Sequence, residues 1–310
     1  MGGGRHAGDI VPLAATLLDT APRGGQDEAL PRRPACARRG GRDTVTAGAR
    51  KRQLPFAYRA VAFVLRPLLM RVTKRDWRGL ENIPAEGGFV VSTNHISYAD
   101  PLVFAHFMFD SGREAYFLGK DSLFAIPVVG WLLKKCGQIP VYRNSAAATD
   151  SYRAAVEGVR AGKALGIFPE GTITRDPDLW PMRGKTGAAR VALETRCPLI
   201  PVAQWGAQEI LSPYGHRPSL FPRKTMMMYA GPPVDLSDLY GRPIDTKILR
   251  EATDRLMDRI TDLLEVLREE KRPTERFDPR THGVPEIGNP LKHHEIGRPK
   301  PAADTDGSTS

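Results

Sequence analysis

The stretch GGFVVSTNHISYADP (residues 87–101) joins an apolar β-like run to a polar turn and then to the start of a helix. Phe89, Val90 and Val91 are typical of a buried strand, and Asp100–Pro101 has the form of an N-cap followed by a proline at the first helical position. His95 and Asp100 stand five residues apart. On a helix that offset rotates the side chains roughly 140° apart, and on a strand it places them on opposite faces. If the two meet, the chain must fold back through a short turn at the strand's end, a common place to present reactive side chains.

Working outward, the runs GGFVVS, AYFLG, QIPVY, ALGIFP, LIPVAQW and TMMMYAG alternate with helical stretches such as DPLVFAHFMF, ATDSYRAAVEGVRAG and GKTGAARVALET. This predicts an α/β domain with a largely parallel, mixed sheet flanked by helices, over residues 74–271. Asp245 is a possible N-cap for a closing amphipathic helix, with Leu249, Ala252, Leu256, Ile260, Leu263 and Leu267 on one face.

Upstream, LPFAYRAVAFVLRPLLMRV (54–72) is apolar apart from Arg59, Arg66 and Arg71, and it contains Pro67. It falls short of the roughly 20 uninterrupted apolar residues of a bilayer span. Residues 54–73 therefore read as a membrane-interfacial helix, with Phe56, Phe63, Leu65, Leu68 and Leu69 inserted and the arginines at lipid phosphates. The competing reading is a helix packed on the protein's own core.

The 310-residue chain is 41% hydrophobic, which suffices for one large domain with appendages. About half of its net charge of +10 lies before Pro55. Residues 1–53, rich in Gly, Arg, Ala and Pro, read as a disordered basic segment; IVPLAATLL within it follows too little positive charge for a signal peptide. The Pro-rich polar tail, 272–310, also reads as disordered. A basic excess concentrated in such a flank, without an aromatic RNA-recognition pattern, argues against a nucleic-acid partner. Three cysteines in no CxxC arrangement suggest a reducing cytoplasm, and the histidines form no metal-ligand pattern.

His95 is suited to take a proton from an alcohol, with a carboxylate on its other nitrogen fixing the tautomer. Alone, a His-x4-Asp pair is common. Three further stretches accompany it: GQIPVYR (137–143), ending in a guanidinium suited to phosphate; GIFPEGTITR (166–175), which is otherwise a plain turn; and the apolar strand CPLIPVAQWG (197–206).

Together, NHxxxxD, G-x-x-x-x-x-R, FPEGT and PxxPV in this order resemble the glycerolipid acyltransferases typified by 1-acyl-sn-glycerol-3-phosphate acyltransferase, over roughly residues 75–240. The resemblance implies a general base at His95 oriented by Asp100. It implies acceptor binding by Arg143, Glu170, Gly171 and Thr172, and a place near the acyl donor for Pro201. The family commonly continues EGT with arginine. Here Ile173 follows and the arginine comes at Arg175, so Arg175, Arg183 and Lys185 are all candidates for the phosphate. Lys185 lies in RGKTGAAR, at an expected helix start that favours an anion. The implied reaction is direct transfer from acyl-CoA or acyl carrier protein, as co-substrate, to the lysophospholipid 1-acyl-sn-glycerol 3-phosphate, giving phosphatidic acid at the cytoplasmic face of the membrane; the alternatives are glycerol 3-phosphate or another lysolipid as acceptor, or a membrane-associated His/Asp hydrolase. No cofactor, metal or covalent intermediate is implied, and no G-x-S-x-G nucleophile signature is present.

Overall fold

The computed structural model describes residues 56–120, 124–141 and 145–285. Residues 1–53 and Arg143 lie outside the described residues. Helix α1 (Phe56–Val72) leads directly into strand β1 (Thr73–Arg78). There follow β2 (Phe89–Thr93), α2 (Asp100–Asp110), β3 (Ala115–Lys120), α3 (Pro127–Lys135), β4 (Ile139–Val141), α4 (Ser145–Arg160), β5 (Ala164–Ile167) and α5 (Gly187–Thr195). The chain continues through β6 (Leu199–Trp205), a short α6 (Ala207–Ile210), β7 (Lys224–Ala230) and α7 (Thr246–Arg268).

The seven strands form one sheet in the order β1-β7-β6-β2-β5-β3-β4. Every neighbouring pair is parallel except β6 with β7. The expected mixed, largely parallel sheet is therefore present. β1 (TKRDWR) is an addition that hydropathy did not suggest: as an edge strand it carries four charged residues facing outward or sideways, the usual guard against edge pairing.

Strand alternation sorts the core into two layers. Phe89 and Val91 of β2 pack with Val103, Phe104, Phe107 and Met108 of α2. Val90 between them faces the opposite layer, against Ala188, Val191 and Ala192 of α5 and Leu249, Leu256 and Ile260 of α7. Asp245 caps α7 as expected, its carboxylate accepting the Ile248 amide at 2.8 Å. Leu264 is buried while the expected Leu263 is half-buried, a shift of one position along the stripe.

Two expectations change. In α1, Phe56, Phe63, Val64 and Leu68 are exposed, but Leu65 and Leu69 turn inward. Arg66 is bound to Asp110 of α2 at 3.1 Å rather than projecting outward. The helix is apolar on both faces, so its periodicity alone left the inner face ambiguous. No helix among the described residues is long and apolar enough to cross a membrane.

The second change concerns residues 272–285, placed by composition in a disordered tail. They lie against α7, where Arg272 pairs with Asp258 and Asp262 and Arg276 with Asp254 and Asp258. Asp278 then binds Arg183 at 2.6 Å, and the Phe277 carbonyl accepts the Arg183 amide. The segment is fastened by charge pairs, which hydropathy does not register.

Candidate active site

The site is assembled at the carboxyl ends of the central parallel strands, where open α/β sheets place their ligands. Past β2 the chain turns sharply, and Asp100, the first residue of α2, reaches back into that turn. Its Oδ2 accepts from the amides of Ile96 (2.6 Å) and Ser97 (2.8 Å) and meets His95 Nδ1 at 2.7 Å. The aspartate is fully buried. Instead of capping its own helix, as its sequence position suggests, it ties down the loop that carries the histidine. With the Nδ1 proton held by the carboxylate, the Nε2 lone pair is left as the base.

Three further contacts fix that loop. Asn94, between the strand and His95, exchanges two hydrogen bonds with the backbone of Gln204 at the end of β6, while the Gln204 side chain returns one to the Asn94 carbonyl. Ser97 Oγ donates to the Leu211 carbonyl at 2.6 Å. Phe168 stacks on the His95 ring with centroids 4.4 Å apart. None of these was singled out from sequence; Phe168 could have been, since it immediately precedes PEGT at the end of β5.

Glu170, expected to bind substrate, is buried, with 1% exposure. Its Oε1 accepts the His95 amide at 2.9 Å and its Oε2 the Met182 amide at 3.0 Å. It is therefore a brace between the two motif loops. Burial pushes its carboxyl up to about 8, against the pull of the two amide donors. An unfolded glutamate ionises near 4.5. Between those values the folded chain holds a proton that the unfolded chain releases, so this contribution is complete below about pH 4.5 and is lost as pH rises through about 8. We expect wild-type melting temperature to fall between pH 5 and 8, and Glu170→Gln to be less stable at acidic pH yet flatter over the same range. Parallel curves for the two proteins would exclude the assignment.

Gly171 has φ +71°, and a Cβ there would stand 3.0 Å from Lys185 Nζ and 3.1 Å from its Cδ and Cε. Glycine at 171 thus serves the turn and the seat of the lysine together. Thr172 is half-buried, and next to it the Tyr214 hydroxyl, pushed up to about 12 chiefly by burial, donates to the Ile173 carbonyl at 2.8 Å. Arg175, with 7% exposure, turns away from the site, bonding the Tyr214 hydroxyl and, at 3.0 Å, the Pro285 carbonyl. It is a structural cation in this fold. Arg183 is engaged by Asp278. Pro201 is buried in β6 opposite Ser92. Of the phosphate candidates within the described residues, only Lys185 shares a cavity with His95.

That cavity measures about 730 Å³, within the usual range for ligand pockets. Its walls are largely apolar: Tyr58, Leu65 and Leu69 of α1, Leu102, Ala105 and Phe109 of α2, and Leu132 and Leu133 of α3. His95, Phe168, Gly171 and Lys185 line it too, with Arg66, His106 and Gln138 as further polar groups.

Residues 74–205 match the acyltransferase family. The chain carries a domain of that family. The chain is 32% identical over 140 residues to the chloroplastic 1-acyl-sn-glycerol-3-phosphate acyltransferase of Brassica napus, an alignment covering 44% of this chain and 39% of that protein. It is 28% identical over 183 residues to the enzyme of the same name from Bacillus subtilis, covering 59% of this chain and 84% of the relative. The chain thus spans well under half the length of the plant relative. The fold is similar to that of the 1-acyl-sn-glycerophosphate acyltransferase from Thermotoga maritima, with TM-score 0.54 and 23% identity over 70% of this chain and 81% of that one.

Proposed function

We propose that this protein transfers a fatty acyl group from acyl-CoA or acyl carrier protein to 1-acyl-sn-glycerol 3-phosphate, giving phosphatidic acid for phospholipid synthesis. One observation carries the reading: the His95–Asp100 pair and Lys185 open onto the same apolar cavity. The names of the relatives agree with it.

In this reading His95 Nε2 takes the proton of the acceptor hydroxyl as its oxygen attacks the thioester carbonyl. The C–S bond then breaks, and the imidazolium returns the proton to the departing thiolate. Asp100 holds the ring and stabilises its cation. The cavity between α1, α2 and α3 takes an acyl chain, and Lys185 takes the acceptor's phosphate. The exposed face of α1, with Phe63, Val64 and Leu68, lies in the lipid interface at the cytoplasmic side of the membrane.

A labelled acyl thioester offered with glycerol 3-phosphate, 1-acyl-sn-glycerol 3-phosphate and uncharged lysolipids tests this directly. A phosphorylated glycerolipid product supports it, and release of free fatty acid alone would make the protein a hydrolase. Lys185→Ala is expected to raise KM for the phosphorylated acceptor roughly 10- to 100-fold, the worth of one charge-assisted hydrogen bond. A rise confined to the KM of the donor would move Lys185 to the carrier's site.

A further inference from the structure

A second cavity, of about 560 Å³, opens on the other side of Asp110, at the carboxyl end of α1. Lys74, Arg75 and Arg223 line it, with Thr73, Trp77 and Met70. Its one carboxylate, Asp110, is already saturated: it accepts from Arg66 (3.1 Å), Arg75 (2.7 Å) and Trp77 Nε1 (2.9 Å). Two of the three lining cations therefore have no carboxylate of their own in the cavity wall. Arg223 donates to the carbonyls of Met70 (2.8 Å) and Thr73 (2.7 Å), using two of its five N–H donors and standing over the negative end of the helix.

Those bonds also bring the segment before β7 against α1. Leu220 and Phe221 in that segment are 38% and 70% exposed. Leu68 and Met70 on the last turns of α1 are 57% and 36% exposed. Met70 lines the cationic hollow, and exposed Leu68, Leu220 and Phe221 stand within three residues of the lining residues Met70 and Arg223 in the chain. A free phosphate would use only the cations. An anionic phospholipid in a bilayer would use both the cations and these apolar side chains, with its headgroup in the hollow and the apolar groups among the acyl chains.

The geometry points to this hollow as a second docking point for an anionic bilayer, apart from the reaction cavity, with Lys74 and Arg223 holding the headgroup and Phe221 entering the lipid. The inference rests on the interfacial reading of α1 but does not follow from it. Binding of the full chain to vesicles of phosphatidylcholine, with and without phosphatidylglycerol, separates the two. Lys74→Glu should weaken binding to the anionic vesicles about tenfold or more, since each surface charge is worth roughly fivefold, and leave binding to the neutral ones unchanged. Phe221→Ser should weaken binding to both. Neither change should alter turnover of a detergent-dispersed acceptor. Phe63→Ser probes the α1 face alone. If Phe63→Ser releases the protein while Lys74→Glu and Phe221→Ser bind like wild type, the second docking point is refuted and the α1 reading stands. If all three bind like wild type, both are refuted. If inorganic phosphate at constant ionic strength displaces the protein from anionic vesicles and Phe221→Ser has no effect, the hollow is a phosphate site and the bilayer assignment fails.

Discussion

His95→Ala is expected to lower acyl transfer by about 100- to 10,000-fold, the range of a lost general base, while the melting curve stays close to that of wild type. The fold tolerates this change because the buried Asp100 keeps the Ile96 and Ser97 amides as partners when the imidazole is gone. Asp100→Asn should lose much activity with little loss of stability, since an amide oxygen still accepts but the compensating charge is gone. Asp100→Ala should lose activity and also cost about 1–3 kcal/mol, because two buried amides of the turn would lack an acceptor. Turnover of His95→Ala within tenfold of wild type would remove the general-base assignment.

The second large effect concerns the chain's last described segment. A chain ending at Pro285 should keep its activity and melting temperature, whereas one ending at Lys271 should melt lower and use the acceptor less well. The shorter chain lacks the Arg272 and Arg276 pairs with α7, the Asp278 bond to Arg183 and the Pro285 bond to Arg175. The ion pairs are partly exposed and contribute at most about 1 kcal/mol each after screening. The larger loss is around Arg175 and Arg183, which lie in the same β5–α5 loop as Lys185 and would be left uncovered. A fall in melting temperature of roughly 5–10 °C is expected from a loss of about 2–4 kcal/mol, with a raised KM for the acceptor. If both chains melt together and turn over alike, residues 272–285 are dispensable.

What the sequence made legible depended on how far apart the partners are. His95 and Asp100 lie within one turn, yet a His-x4-Asp spacing is common, and their pairing became legible only with the accompanying motifs and the family resemblance; Asp100 proved to secure the turn instead of capping the helix. The parallel sheet was legible because each strand is a short apolar run between helices. Arg175 was misread because its partners, Tyr214 and Pro285, are 39 and 110 residues away, and nothing local marks it as buried. Glu170 shares a motif with residues facing the cavity, yet its neighbours are amides 75 and 12 residues distant. The inner face of α1 was obscured for the opposite reason: Leu65 and Leu69 look as suited to lipid as Leu68, and only the presence of α2 and α3 decides between them.

The strand next to α1 has a consequence for how the molecule comes into being. β1 pairs in parallel with β7, Thr73 opposite Lys224 and Arg78 opposite Tyr229, and with no other strand. The two are about 150 residues apart in the chain, so at ordinary synthesis rates of roughly 5–20 residues per second about eight to thirty seconds separate their emergence from the ribosome. During that interval the central block of β2, β5 and β6 can already close upon itself, whereas α1 and β1 wait without their sheet edge. β1 is thus among the last strands to be paired, and until β7 arrives α1 is held only through its inner face on α2, leaving its outer apolar face available to a membrane or a chaperone.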